Sequence, residues 1–546
     1  MATIDHVVVL MLENRSFDHM LGFLDHPDPA FDGLLRGGPY VNPGWERGAK
    51  ARPEPRAKRV LPVGPDHSHE AVMEQLALTG RGTARRPTMQ GFVKSYERKG
   101  RGLAAPRFGG VLGPVLNRAA RKQGGSAPVA GRGDLVMLCQ PPDHVPVLST
   151  LALQFAVCTR WFCSVPGETW PNRNFAHAAT SDGETEIQIR AYYDKTIFEL
   201  LEDNGSTWRV YHDDVPQVWA FQHLWDTAER HRNWHPYADF ADHARAGTLP
   251  AYSFIEPNHR PPVHTPDREP LIGRPGLSTS QHPDNNKVPI DQYDDFPDSK
   301  ETDFVRAESL IAATYEALRS NPEAFARTLL LITYDEHGGL YDHVPPPTNV
   351  PPPGDRPDPG RSLMRLLYHR ITEAFDFRML GARVPAVVVS PLIPAGKVDA
   401  TVRDHASIPS TLRALFAPRA DPLTARDAWA PPFHGVATLP EPRTDLPDLS
   451  AYVRPAMAAE RQARAEAMQE RAADDEALAV AEVPSFYHDF VKQADQVRDR
   501  LVAVGEPEIV ESGPPADNDL QRSAQTSEAF AVAAVRHRDG AAPRPG

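Results

Sequence analysis

Two apolar runs, far apart in the chain, each stop abruptly on polar residues, and this pattern limits the fold more than any other feature. His6–Leu12 (HVVVLML) runs straight into Glu13, Asn14, Arg15 and Ser16, with Asp18 and His19 close behind. Thr328–Tyr334 (TLLLITY) runs into Asp335, Glu336, His337, Gly338 and Gly339. Uninterrupted runs of β-branched and aliphatic residues read as strands buried on both faces, the mark of a parallel sheet covered by helices. In such sheets ligands bind beyond the carboxyl ends of the strands. One acidic strand end reads equally well as turn or capping chemistry. Two of them, with histidines nearby, favour a shared centre. Glu13 with Asn14, and Asp335 with Glu336, are therefore read as oxygen ligands of a divalent metal ion. Oxygen donors suit hard ions, and neighbouring imidazoles would admit Mn, Fe or Zn, so the identity of the metal stays open.

Further apolar runs at 153–158, 208–211, 252–255 and 384–390 alternate with helix-like segments such as 196–202 and 301–319. That alternation predicts an α/β fold around a mostly parallel sheet flanked by helices. Long Gly-, Pro- and His-rich insertions interrupt it at 36–66, 94–134 and 257–300. Loops of such length in a compact domain are functional or disordered. With 546 residues the chain has room for roughly two to four domains. The catalytic part is placed at 1–416, followed by a Pro-rich linker at 417–448, a helical C-terminal extension at 449–505 and a disordered tail at 506–546. The partner of the C-terminal helices is unknown.

A net charge of −13 argues against a general nucleic-acid partner. The basic cluster within 94–134 (Lys94, Arg98, Lys99, Arg101, Arg107, Arg118, Arg121 and Lys122) reads as a solvated insert in preference to an anion-steering rim. Three cysteines, Cys139, Cys158 and Cys163, make no disulfide framework and read as buried thiols. No apolar run is long enough to span a bilayer, and no leader pattern precedes the first strand. The expected location is cytoplasmic, unless a leader has been removed.

The 153–158 run leads into a third polar stretch, FCSVPGETWPNRNFAHA at 162–178. A Thr in a Gly/Pro turn is most often structural. Placed after a third strand, however, Thr169 has its hydroxyl where a neighbouring cation would ease loss of the proton. Arg173 offers a planar fork suited to phosphoryl oxygens, with Asn172 beside it.

ENRSFDH at 13–19, PGETWPNRNFAHAATS at 166–181 and TYDEHGGLYDHVPPP at 333–347 resemble the signature blocks of the bacterial phosphoesterase family. That family joins phospholipase C enzymes with the respiratory-burst-inhibiting acid phosphatases. MQGFV at 89–93, HP at 282–283, VPAVVVSPLIP at 384–394 and DHASIP at 404–409 continue the resemblance in order over about residues 4–416. It implies an alkaline-phosphatase-like α/β core and metal-assisted attack on phosphorus by a hydroxyl. Thr169 then matches the nucleophile, and Glu13, Asn14, Asp335 and Glu336 match the metal-binding groups. His282 and His343 fall in blocks whose histidines surround the phosphate; His282 is the first choice of proton donor.

Asn172, Arg173 and His69 are expected on the substrate, although His69 could instead belong to the cap of the following helix. The implied substrate is a phosphate ester, phospholipid among the candidates. A phospholipase C-like phosphodiesterase is favoured over a broad-specificity acid phosphatase, and a non-catalytic metal-binding scaffold ranks last. Glu168 departs from the pattern, because a carboxylate beside a phosphate-binding hydroxyl must face away or hold metal.

Overall fold

The computed structural model describes residues 3–80, 85–101, 131–187, 192–212, 216–224, 227, 230, 232–259, 278–297, 302–354 and 375–454. An eight-stranded sheet forms its centre. The strands are β1 (His6–Leu12), β4 (Ala156–Cys158), β5 (Trp208–His212), β6 (Trp234–Pro236), β7 (Tyr252–Ile255), β8 (Thr328–Tyr334), β9 (Ala386–Val389) and β10 (Lys397–Asp399). A small antiparallel hairpin of β2 (Asn42–Pro43) and β3 (Lys50–Ala51) stands apart. The order in the large sheet is β10-β4-β9-β8-β1-β7-β5-β6. Among these strands only β9 runs against its neighbours, so the sheet is mostly parallel, as the apolar runs predict.

The two long runs lie side by side. β1 and β8 pair in parallel from His6 opposite Thr328 to Leu12 opposite Tyr334. Both strands end at the same level, which delivers the polar pairs 13–14 and 335–336 next to each other at the sheet rim. Every β8 residue is buried, and so is β1 from Val7 onward. Helices cover the sheet in two groups: 303–319 packs with 146–154 and 238–245, and 407–416 packs with 169–178 and 197–203. Sequence marks their starts. Thr302 caps the long helix Asp303–Arg319. Thr196 and Glu199 form a reciprocal capping box at Ile197–Asp203, satisfying two of its orphan amide groups.

Two differences from the sequence reading have physical causes. The run at 153–158 is divided, because 153–154 end the helix Pro146–Gln154 and only Ala156–Cys158 form strand. The run at 384–390 does form a strand, the antiparallel member of the mostly parallel sheet. The 417–448 stretch, expected as a linker, is packed onto the core. Phe433, Val436 and, just past that stretch, Leu449 join the main hydrophobic cluster. Buried Arg426 pairs with Asp404 at 2.7 Å and donates to the carbonyls of Ser164, Pro351 and Phe377. Most of the expected helical extension, and all of the tail, lie outside the described residues. The three cysteines are buried and free. Among the described residues no helix is long and apolar enough to cross a membrane.

Candidate active site

The adjacent ends of β1 and β8 interlock. Asn14 takes a left-handed backbone (φ 56°), and its amide donates to Asp335 Oδ1 at 2.9 Å. Its side-chain amide donates to Glu336 Oε1. Glu336 Oε2 accepts from the Gly338 amide at 2.7 Å. Gly338 also has a left-handed backbone, and a Cβ there would run into the Asn14 carbonyl oxygen. Glycine is thus required both by conformation and by space.

Thr169 arrives from a different direction. It opens the ten-residue helix Thr169–Ala178, and its hydroxyl lies 3.5 Å from Asn14 Oδ1. A helix N-terminus presents unpaired amide groups and partial positive charge, which favour an alkoxide or a phosphoryl group. Asn172 secures the turn that carries it: its Oδ1 accepts from the Val165 amide, and its Nδ2 donates to the carbonyls of Val165, Gly167 and Glu168. The substrate role expected for Asn172 gives way to that internal one. Glu168 Oε2 accepts from the Ile187 amide at 2.5 Å, so this carboxylate is directed to backbone.

Arg173 also corrects the sequence reading. Its guanidinium is fully buried, with Nε on Asp335 at 2.9 Å, Nη1 on Glu256 at 2.8 Å and Nη2 on the Met11 carbonyl at 3.1 Å. The fork expected to bind phosphoryl oxygens is closed on the protein and holds Asp335 in place. Glu256 Oε1 also lies 2.9 Å from His259 Nε2, and His259 Nδ1 lies 2.9 Å from Glu13 Oε2. That last approach is a charge contact without hydrogen-bond alignment, and Glu13 Oε1 has no hydrogen-bond partner among the described residues. Glu256 and His259 are additions to the sequence-derived set. They follow β7 immediately (YSFI, then EPNH), so the rule that selects Glu13 and Asp335 would have selected them too.

Burial opposes charge on all three carboxylates, but the outcomes differ. Glu13 is held below the usual carboxylate range because His259 and Arg173 outweigh burial. Asp335 is raised by burial and by the charges of Glu13 and Glu336, against the pull of Arg173. Glu336 is raised mainly by burial, with Glu168 and Glu13 adding to it and His67 opposing. Three buried carboxylates, an orphaned Glu13 oxygen and the Asn14 amide oxygen form an oxygen-rich donor set with surplus negative charge. That set fits a hard divalent cation.

The histidines separate. His282 is brought in because the Glu13 amide donates to the Ser280 carbonyl at 2.8 Å. Its Nδ1 accepts from the Asp284 amide at 3.0 Å, and burial lowers its pKa to about 3. The neutral ring therefore carries its proton on Nε2. His67 stands against it, ring centroids 5.5 Å apart. His69 Nδ1 lies 2.5 Å from the Pro166 carbonyl, bracing the Thr169 turn, while Ser68 supplies the helix cap. His405 Nε2 lies 2.6 Å from the Asp335 carbonyl and supports that strand end.

His343 is placed elsewhere, in an ion network with Asp18 (2.7 Å) and Asp32 (3.2 Å). Asp18, Asp342 and His343 are close enough together to hold a metal ion. Arg383, however, already pairs with Asp18 and Asp342, each at 2.9 Å, so a cation there would have to displace a buried guanidinium. Burial favours a neutral His343 ring, yet Asp18 and then Asp32 push its pKa up to about 9.

The family comparison decides the class. The model of the phosphoesterase family matches residues 4–417. The chain belongs to the phosphoesterase family. This phosphoesterase is 31% identical over 459 residues to non-specific phospholipase C3 of Arabidopsis thaliana, covering 81% of this chain and 75% of that one. Non-specific phospholipase C6 of the same plant is 32% identical, with 83% and 76% covered. Phospholipase C B of Mycobacterium tuberculosis (strain ATCC 25618 / H37Rv) is 29% identical, with 82% and 83% covered. Among solved structures, a protein in the alkaline phosphatase superfamily from Vibrio parahaemolyticus aligns at a TM-score of 0.29 and 12% identity, over 52% of this phosphoesterase and 64% of that chain.

Proposed function

We propose that this phosphoesterase is a metal-dependent, phospholipase C-like phosphodiesterase that works through a phospho-threonine intermediate. The observation that carries the reading is the Thr169 hydroxyl, set at a helix N-terminus 3.5 Å from Asn14 Oδ1 within the interlocked ends of β1 and β8. Glu13, Asn14, Asp335 and Glu336 would hold the divalent ion. When bound, the ion supplies positive charge that favours the Thr169 alkoxide and offsets charge on the phosphoryl oxygens.

The chain's own groups do the rest. Thr169 Oγ attacks phosphorus as its proton passes to solvent, and the bond to the leaving alcohol breaks as that oxygen takes a proton from solvent, with the neutral His282 ring donating a hydrogen bond to it from Nε2. The amide groups at the start of the Thr169 helix stabilise the equatorial oxygens, as preorganised donors do. Water then attacks the phospho-threonine from the opposite side, releasing a phosphomonoester and restoring the hydroxyl. Arg173, Glu256 and His259 keep Asp335 and Glu13 in register without touching substrate. The names of the relatives, phospholipase C in plant and bacterium alike, support the diester over the monoester.

The test compares p-nitrophenylphosphocholine with p-nitrophenyl phosphate, with and without EDTA, in wild type and Thr169→Ala. An EDTA-sensitive activity, strongest on the diester and lost in the variant, is expected. Preference for the monoester would make the protein an acid phosphatase. Full activity of Thr169→Ala would remove the threonine from the chemistry.

A further inference from the structure

The segment 36–101 carries fourteen Lys and Arg but six Asp and Glu, a local excess of positive charge inside a chain of net charge −13. Much of that charge faces solvent. Arg36, Arg47, Lys50, Arg52, Arg56, Arg85, Arg86 and Lys94 are exposed, against Glu46 and Glu54 as exposed acids of the segment's described part. Two of the four large apolar side chains exposed among the described residues lie in or beside it, Leu35 (53%) and Trp45 (41%).

The pieces form one body. Trp45 sits in the turn of the β2–β3 hairpin, and its amide donates to Glu97 at 2.7 Å. The Arg101 guanidinium lies 5.5 Å from the Trp45 ring centre. Asn42 joins β2 to the Met89 carbonyl and the Val93 amide. Beneath the hairpin, Leu61, Val72, Leu76, Phe92, Tyr96 and Met137 form a hydrophobic cluster separate from that of the sheet.

The inner side of this body is the wall of the active site. Helix His69–Leu76 places His69 on the Pro166 carbonyl and Gln75 Oε1 2.8 Å from His337 Nε2, next to Glu336. Site wall and basic outer surface are thus two sides of one packed unit. An exposed Trp among several cations matches the chemistry of an anionic bilayer surface, where aromatic rings settle at headgroup level and cations gain from the negative surface potential.

We propose that the 36–56 and 85–101 surface, with Trp45 and Leu35 at its apolar points, docks this protein on anionic phospholipid membranes. The proposal rests on the phospholipid reading above and adds how a soluble site would meet a lamellar substrate. A nucleic acid would answer the charge but leaves the exposed Trp and Leu without a role.

The test is cosedimentation of the full chain with phosphatidylcholine vesicles, with and without phosphatidylglycerol. Wild type is compared with the triple variant Arg47→Glu, Lys50→Glu, Arg52→Glu and with Trp45→Ala. Each cation near an anionic surface contributes roughly fivefold to binding, so losing three of them, with acids in their place, should weaken it by at least about a hundredfold. Trp45→Ala should weaken it less, and added salt should weaken wild-type binding steeply. Turnover of soluble p-nitrophenylphosphocholine should stay at the wild-type level in both variants, which keeps folding and the catalytic reading separate from docking.

Equal binding of the triple variant, or equal binding to vesicles without phosphatidylglycerol, would overturn the proposal. So would binding of a single-stranded oligonucleotide in place of vesicles. If vesicles bind as expected while no ester turns over, the catalytic reading fails and the docking surface stands.

Discussion

Replacing Arg173 by alanine sets the structural role of this residue against the substrate role its side chain would otherwise suggest. In the fold its guanidinium faces Asp335 and Glu256 at 2.9 and 2.8 Å, all three side chains without solvent exposure. Removing one partner of a buried ion pair costs about 3–5 kcal/mol, because the remaining charge is left uncompensated. Here two carboxylates lose the same partner, and the carbonyls of Met11 and Leu12 lose a donor. Protonation of one carboxyl would limit the damage, so about 3–5 kcal/mol is the expected loss for the site as a whole. That is a large share of the roughly 5–15 kcal/mol typical of a folded domain.

Arg173→Lys keeps the charge but not the fork, and should lose about 1–3 kcal/mol. Thermal denaturation and turnover of a soluble ester, measured on the same samples, check this. Both should fall in the order wild type, lysine, alanine, with the melting temperature of the alanine variant down by several degrees. A melting temperature unchanged to within about a degree, with turnover lost and KM raised, would refute the reasoning and return Arg173 to the substrate.

Three further outcomes are expected. His343 has its pKa raised to about 9 when folded, so its contribution is fully present below its unfolded value near 6.5 and is lost as pH rises through about 9. Stability should fall by up to about 3 kcal/mol over that window, and urea titrations of His343→Gln should show a flatter profile there. Gly338→Ala should lower both the melting temperature and turnover, since its Cβ meets the Asn14 carbonyl and its backbone is left-handed; a wild-type melting curve would mean the turn gives way. Chelation should abolish ester turnover while the far-ultraviolet circular dichroism is kept, because Arg173 and His259 already offset part of the carboxylate charge. Loss of the spectrum would make the metal a folding requirement.

Much of the site was legible because one rule of sheet architecture governs it. Glu13, Asn14, Asp335 and Glu336 follow long buried runs, and the in-register pairing of β1 with β8 brings them together. Glu256 and His259 obey the same rule after the apolar run at 252–255, but a four-residue run that opens into the long 257–300 insertion does not by itself mark its end as part of the site. β6 and β10, three residues each, are too short to stand out by periodicity. Arg173 illustrates a different limit. A guanidinium fork suits a phosphate and a pair of carboxylates alike, and only the fold reveals that Asp335 and Glu256 lie within reach. The stretch after 416 read as linker because its prolines break the apolar spacing. Its anchoring depends on partners such as Asp404 and Pro351, which sequence distance conceals.

The interlock of Asn14 and Gly338 bears on how such a protein can drift over generations. Gly338 is held by the space the Asn14 backbone takes, not by any reaction. On the proposed mechanism, a descendant that abandoned catalysis would be free to lose the Thr169 hydroxyl or the Glu13 carboxylate, yet would still have to keep that glycine. In a lineage of such proteins, a glycine at this turn therefore marks common ancestry of shape. Under the proposed mechanism, retention of Thr169 beside it would mark selection for turnover.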